Sequence, residues 1–258
     1  MKIIKLIIIL AFLATTGFAG ESDSLNTDKS SITQLLPRTY STITFSPGLN
    51  IRSGSESIIG LNHGLALAED RTIGTKWFSE KTIPGKAGGI SCRFAKYLFV
   101  DMPISYFSAV VAHEYWGHGA RYRELDVNNI DYGFDAPPPY GDGGGHATAH
   151  ISDPITNEEL NTIIMGGIEV QEAIHHRLNL RYMAKKEIHY QESILYFESF
   201  RIMFDYVQMT NNDLTDGKDP AVYITLLNNN AGITDPDSFK MDLQYLKSQY
   251  YIDRKSVV

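Results

Sequence analysis

The spacing of apolar positions changes near Asp101. Before it, from Glu21 to about Lys96, the pattern is short and broken. Tyr40 to Phe45 alternates with the period of a strand, Gly and Ser punctuate Ser46 to Gly74, and Ser22 to Ser31 is polar and reads as a loose segment. From Asp101 onward apolar residues recur every three or four positions, as in helices with one buried face. Ile104, Phe107, Val110 and Val111 form one such stripe, opened by Asp101 and Pro103. Thr156 with Glu159 three residues later is a capping box, starting a helix that runs to about Lys186. Tyr190 to Met209 predicts another, with Phe197, Phe200, Phe204 and Val207 on its core-facing stripe. Asp219-Pro220 and Asp235-Pro236 each read as an N-cap followed by a first-turn proline and announce two more helices. The expected fold class is α+β, with an extended, β-rich part over 20–100 and a helical part over 101–252.

The two ends stand apart from this domain. Residues 1–19 have the layout of a secretory signal peptide: Lys2 and Lys5, an apolar run from Leu6 to Ala14, and the small-x-small site Gly17-Phe18-Ala19. The run is shorter than the roughly 20 residues a membrane-spanning helix needs. The expectation is a secreted or periplasmic protein with no stable membrane insertion after cleavage. At the other end, residues 253–258 can be encoded by a common sequencing-adapter string; they are expected to be adapter-derived, in no packed element, with the natural chain continuing beyond Ile252. Composition adds two exclusions. A net charge of -7 argues against a nucleic-acid partner, which needs a basic face. Cys92 is the only cysteine, so no internal disulfide can form and stability must come from the core.

The candidate chemistry is concentrated in His113-Glu114-Tyr115-Trp116-Gly117-His118. Two imidazoles can bind zinc through neutral nitrogens, and a carboxylate beside the first can activate water. The histidines are five apart, which on a regular helix leaves them roughly 140° from one another. A local widening of the helix between Tyr115 and Gly117 would bring them together, and Gly117 gives the turn room to open.

This hexapeptide resembles the H-E-x-x-G-H motif of the dipeptidyl peptidase III family of zinc peptidases. The resemblance implies that His113 and His118 are zinc ligands and Glu114 the general base. It also implies a third ligand, a glutamate on a later helix. Glu169, in Gly166-Gly167-Ile168-Glu169, stands at a matching distance, although Ile168 occupies the place of the family's paired glutamate. Gly166 and Gly167 weaken a helix but allow another to approach closely, as this assignment requires. Glu172, one turn further, is the alternative third ligand or an outer partner of a ligating imidazole. His175 and His176 follow on the same helix as candidates to stabilise an oxyanion.

Between the two metal helices, Ala136-Pro137-Pro138-Pro139-Tyr140 and the run Gly141 to His146 cannot be helical. This segment is expected to wall the cleft, with glycine amides open to an extended peptide and Tyr140, His146 and His150 placed to hydrogen-bond a tetrahedral intermediate. The expected activity is hydrolysis of peptide bonds in a peptide or protein substrate. Rival readings are a di-iron carboxylate bundle built on Glu172-Ala173-Ile174-His175, which lacks the second E-x-x-H such sites use; an intramembrane protease, opposed by Asp101 and Pro103; and an exported binding protein with a structural metal, which a closed four-ligand site would indicate.

Overall fold

A computed structural model describes residues 46, 48–72, 83–152, 154–186, 188–211, 217–233 and 235–256. The expected signal peptide over 1–19, the polar segment 22–31 and the 40–45 alternation lie outside the described residues. The first helix, α1 (Ile51–Thr72), is followed by a continuous helical rod from Ile83 to Glu124. The rod comprises α2 (Ile83–Lys96), a π-helical stretch (Tyr97–Asp101), α3 (Met102–Val111), a second π-helical stretch (Ala112–His118) and α4 (Gly119–Glu124). A hairpin of β1 (Ile130–Phe134) and β2 (Gly145–Ala149) comes next. Then follow α5 (Asn157–Lys185), α6 (Tyr190–Gln208), α7 (Asp219–Asn230) and α8 (Pro236–Ser256). The chain is thus mainly helical, with one two-stranded antiparallel sheet among the described residues.

The extended N-terminal part is not what the described residues form: 51–72 and 83–100 are helical, and the strands lie at 130–149 instead. The glycines and serines that broke the pattern are close-packing positions. Asn50 caps α1 by accepting the Ser53 amide at 2.8 Å, and the Ser53 and Ser55 hydroxyls bond back to carbonyls three residues earlier. These bonds satisfy the hydroxyls locally, so Ser53 and Ser55 can be buried. A Cβ on Gly54 would lie 2.2 Å from the Trp116 ring, so only glycine lets α1 meet the rod there.

The rod does not begin at Asp101. Asp101 is buried in the first π stretch and held by Lys96 at 2.6 Å. Pro103 has no N–H to offer the Phe99 carbonyl four residues back, and the Tyr140 hydroxyl donates to that carbonyl at 2.5 Å. α5 is the central helix, flanked by α1, the second π stretch, α6 and α7. Its capping box forms as expected, and the helix ends in a left-handed Lys186. Ile58 and Ile59 of α1, Ala112 of the rod, Val170, Ile174 and Leu178 of α5 and Leu195 of α6 make the main core. A smaller core joins Ala221 and Ile224 of α7 to Phe239 and Leu243 of α8.

α6 turns inward only part of its expected stripe. Val207 is buried as expected, with Ile194, Leu195, Ser199 and Met203, whereas Phe197 is 65% exposed. Phe200 instead packs with Phe204 and the His175 ring on the flank. At the C-terminus the backbone of 253–256 continues α8, so that part of the tail is helical and not separate from an element.

Candidate metal centre

The second π stretch solves the spacing problem of the hexapeptide. In a π-helix the hydrogen bonds run from residue i to i+5, so positions five apart stack one above the other. His113 and His118 therefore share a face, with ring centroids 4.8 Å apart and planes at 82°. The widening expected between Tyr115 and Gly117 is present, and Gly119 donates its amide to the Glu114 carbonyl across it.

What lets this wide turn be buried is a glycine contact. A Cβ on Gly117 would lie 2.6 Å from the Gly167 Cα, and one on Gly167 would lie 2.4 Å from the His113 ring. The three glycines 117, 166 and 167 thus bring α5 against the rod, as their composition suggested. Ile163, one turn before Gly167, accepts the His118 Nδ1–H on its carbonyl at 2.8 Å. That bond sets the tautomer and aims His118 Nε2 inward.

The carboxylate that meets the two rings is Asp219. Its Oδ2 lies 3.2 Å from His113 Nε2 and 3.2 Å from His118 Nε2. All three residues are buried, and their ligand-capable atoms lie within 4.8 Å of one another. Asp219 occupies the first turn of α7, after Lys218 as N-cap, so its charge sits at the positive end of a helix dipole. Its backbone N–H points to the Tyr206 hydroxyl at 3.4 Å, and the Tyr206 ring stands edge-on to His113, 5.6 Å between centroids.

Glu169, expected as the third ligand, is placed elsewhere. It is two residues past Gly167, roughly 200° around the helix from the face that meets His113. There it forms an ion pair with Arg121, accepting Nε at 2.9 Å, and its side chain is 40% exposed. Glu172 is exposed and lines an open charged cleft with Arg52 and His176, away from the histidine pair. His175 stacks on Tyr196 at 4.2 Å. The Glu172–His175 pair of the di-iron reading is therefore not brought to His113 and His118, nor are His175 and His176 placed at an oxyanion.

Sequence reasoning missed Asp219 because an aspartate before a proline at a helix start is explained by capping alone. The structure instead makes Lys218 the N-cap and puts Asp219 in the first turn, where its carboxylate faces inward.

Glu114 is buried beside the trio and presses on β2, where a Cβ on Gly145 would lie 2.8 Å from its Cγ. Burial raises its carboxyl above the ordinary range, opposed by His113 and His118 and reinforced by the Asp219 charge. Burial would lower His118, but its hydrogen bond to Asp219 prevails and the imidazole is pushed up to about 9. Burial likewise disfavours charge on Asp219, yet hydrogen bonds from His113 and His118 hold it well below the usual carboxylate range. The metal-free trio is an ionic hydrogen-bonded cluster.

The donor set fits a divalent ion. Zinc bonds of ~2.0–2.2 Å place ligand atoms ~3–4 Å apart, and both N–O separations here are 3.2 Å. An ion would replace the shared protons between imidazole and carboxylate. His118 has the outer hydrogen bond common to metal-bound histidines, whereas His113 Nδ1 is buried with no hydrogen-bond partner among the described residues.

The hairpin borders this centre. Gly143 and Gly144 have φ of 70° and 129°, a left-handed backbone that a glycine run supplies without strain. The Gly143 amide is used internally, donating to the Ala136 carbonyl at 3.0 Å, and is not open to a peptide. His146 faces Gly133 across the ladder, is exposed, and lies close enough to Glu114 to lower its pKa. Tyr140 is turned to Phe99, and His150 lies just past β2, its amide on Asn129. Compared with family models, with curated protein sequences and with solved structures, the chain matches none.

Proposed function

We propose that the chain is an exported zinc-dependent hydrolase of peptide bonds, with His113, His118 and Asp219 as metal ligands and Glu114 as general base. The observation that carries this reading is the convergence of two imidazoles and a carboxylate on one point, each from a different helical turn, with a second buried carboxylate beside them. Asp219 takes the ligand role that the motif resemblance implied for Glu169.

A zinc ion held by three protein ligands keeps one position for water or substrate, and supplies both a lowered water pKa and a Lewis acid. The residues of this chain do the rest. His118 is aligned by Ile163, and Asp219 balances the cationic charge from a helix N-terminus. Glu114 does not need to be a ligand: it is positioned to accept a proton from water and pass it to the leaving amine. In the metal-free protein burial raises its pKa above the ordinary carboxylate value. His146, exposed on β2 near Glu114, supplies a donor for the developing oxyanion. β2 is paired only with β1 among the described residues, so its second edge offers an extended peptide a strand-like seat.

The test combines metal analysis of the purified protein with cleavage of a peptide library. Glu114→Gln is expected to keep the metal and lose at least ~100-fold in turnover, the usual worth of a general base. His118→Ala is expected to lose the metal. A Gln variant with full activity, or a parent protein that cleaves no peptide with its metal in place, would move the site to a structural role.

A further inference from the structure

The N-terminal half of the rod has no account in the hydrolase reading. From Lys86 to Ala95 every residue except Gly89 is exposed, so α2 projects from the body of the protein. Its sequence does not suit a bare helix in water. Gly85, Gly88 and Gly89 weaken it, so only its continuity with the packed half of the rod supports it.

The exposed residues state what kind of surface that is. Ile90 is 69% exposed, Phe94 61% and Phe99 53%, with Val100 and Ile104 beside them. Ile90 and Phe94 are about 40° apart on an α-helix. The π stretch then gives Phe99 its five-residue spacing from Phe94 and keeps it on the same side. The Tyr140 ring, tied to the Phe99 carbonyl, adds to the apolar face. Lys86 and Arg93 lie along one edge of it, about 40–60° from Ile90 on the side away from Phe94, and both are exposed. Between Ile83 and Val100 there is no acidic residue, in a chain whose net charge is -7. An apolar stripe with cations along its border and no anions is the composition of a helix that lies in a membrane interface.

We propose that this face of α2 and the first π stretch rests on an anionic lipid surface, with its aromatic side chains among the acyl chains and Lys86 and Arg93 at the phosphates. The helix lies on the bilayer and does not cross it. Gly85–Glu124 is long and apolar enough to span a membrane. However, its second half is packed against α5 and α6, and carries buried Asp101, His113, Glu114 and His118 in protein contacts. Attachment of this kind is independent of the metal and of any hydrolytic activity.

The experiment is flotation of the full chain with phosphatidylcholine vesicles and with vesicles in which about a third of the lipid is phosphatidylglycerol. At low salt at least ten times more protein should float with the anionic vesicles. The double variant Phe94→Glu/Phe99→Glu should lose at least tenfold, and Lys86→Glu/Arg93→Glu should lose only the preference for anionic lipid. All variants keep the same N-terminal segment and change exposed residues, and circular dichroism checks that they fold. Equal flotation of parent and Phe94→Glu/Phe99→Glu would overturn the proposal. So would a concentration-dependent dimer, seen by sedimentation, that the same variant abolishes, since a second copy would then cover the face. Cys92 lies on the side of α2 opposite the stripe, about 200° from Ile90, and is exposed. It should stay open to a membrane-impermeant thiol reagent on vesicles; protection would mean crossing and would also overturn the proposal.

Discussion

Two helices of this protein begin with the same dipeptide and use it differently. At Asp235-Pro236 the aspartate lies just outside α8 and caps it, accepting the Asp237 amide at 3.1 Å and the Ser238 hydroxyl at 3.4 Å. At Asp219-Pro220 the aspartate lies just inside α7 and turns its carboxylate away from its own helix, onto His113 and His118. The register differs by one residue. That step moves a carboxylate from the end of a helix to its side, and the two buried imidazoles then hold it there. A local rule of capping explains Asp235 fully and Asp219 only as far as the backbone.

The comparison is broken most sharply by removing each carboxylate. Asp219→Ala should weaken zinc binding by at least ~100-fold, since loss even of an outer partner costs ~10–100-fold. Asp235→Ala should leave the affinity unchanged. Competition with a chelator measures both. An Asp219→Ala protein that holds zinc as tightly as the parent would return the third-ligand role to another residue and remove the observation on which the hydrolase reading stands.

This pair also shows what could be read from the sequence and what could not. The capping box at Thr156, the limits of α5 and α6, the helix starts at 219 and 235 and the widened turn at 113–118 all follow from local spacing. So does the helix approach at Gly166 and Gly167. The third carboxylate does not, because its choice depends on which face of α5 the glycines present. Gly167 faces His113, so Glu169, two residues on, must face Arg121. The N-terminal helices were hidden for a related reason. Gly54 and Ser55 look like turn residues until the ring of Trp116 is known to need the space.

A second route reaches the Asp219 side without touching either aspartate. Gly167→Ala places a methyl 2.4 Å from the His113 ring, where the ring or α5 must move. Overpacking of this kind should cost about 1–3 kcal/mol in chemical denaturation, and should weaken metal binding by pushing His113 from Asp219. Gly88→Ala, with no atom within 4 Å, is the control and should be neutral or slightly stabilising. If Gly167→Ala binds metal normally and is as stable as the parent, the close approach of α5 to the rod is wrong.

The ionic character of the trio gives a third way to separate the two aspartates. In the metal-free protein His118 titrates near 9 against an ordinary 6.5, so the folded state binds its proton more tightly than the unfolded one. The stability this confers is complete below about pH 6.5 and is lost as pH rises through 9. Asp219, held low, makes its contribution above the ordinary carboxylate range and loses it only in stronger acid. The chelator-treated protein should therefore melt at falling temperature between pH 6.5 and 9. Asp219→Asn should flatten that fall, because the largest cause of the raised His118 pKa is gone, and Asp235→Asn should not. An unchanged slope in Asp219→Asn would assign the pH dependence to another group.

The smallest effect falls on the helix start that behaves as sequence rules expect. Asp235→Ala removes the side-chain oxygen that accepts the Asp237 amide and leaves a first-turn donor to water, which costs ~1 kcal/mol at a typical N-cap. The loss should appear as a melting temperature lower by about 2–4 °C for a chain of this size. Asp235→Ser should recover most of it, since a hydroxyl caps about as well as a carboxylate. The parallel pair at 219 separates the roles. Asp219→Ser, with a side chain too short to reach both imidazoles, should bind metal as poorly as Asp219→Ala even though serine suits a helix N-terminus. If serine rescued position 219 as well as it rescues 235, the two aspartates would be doing the same work, and Asp219 would be a cap that merely happens to lie near two histidines.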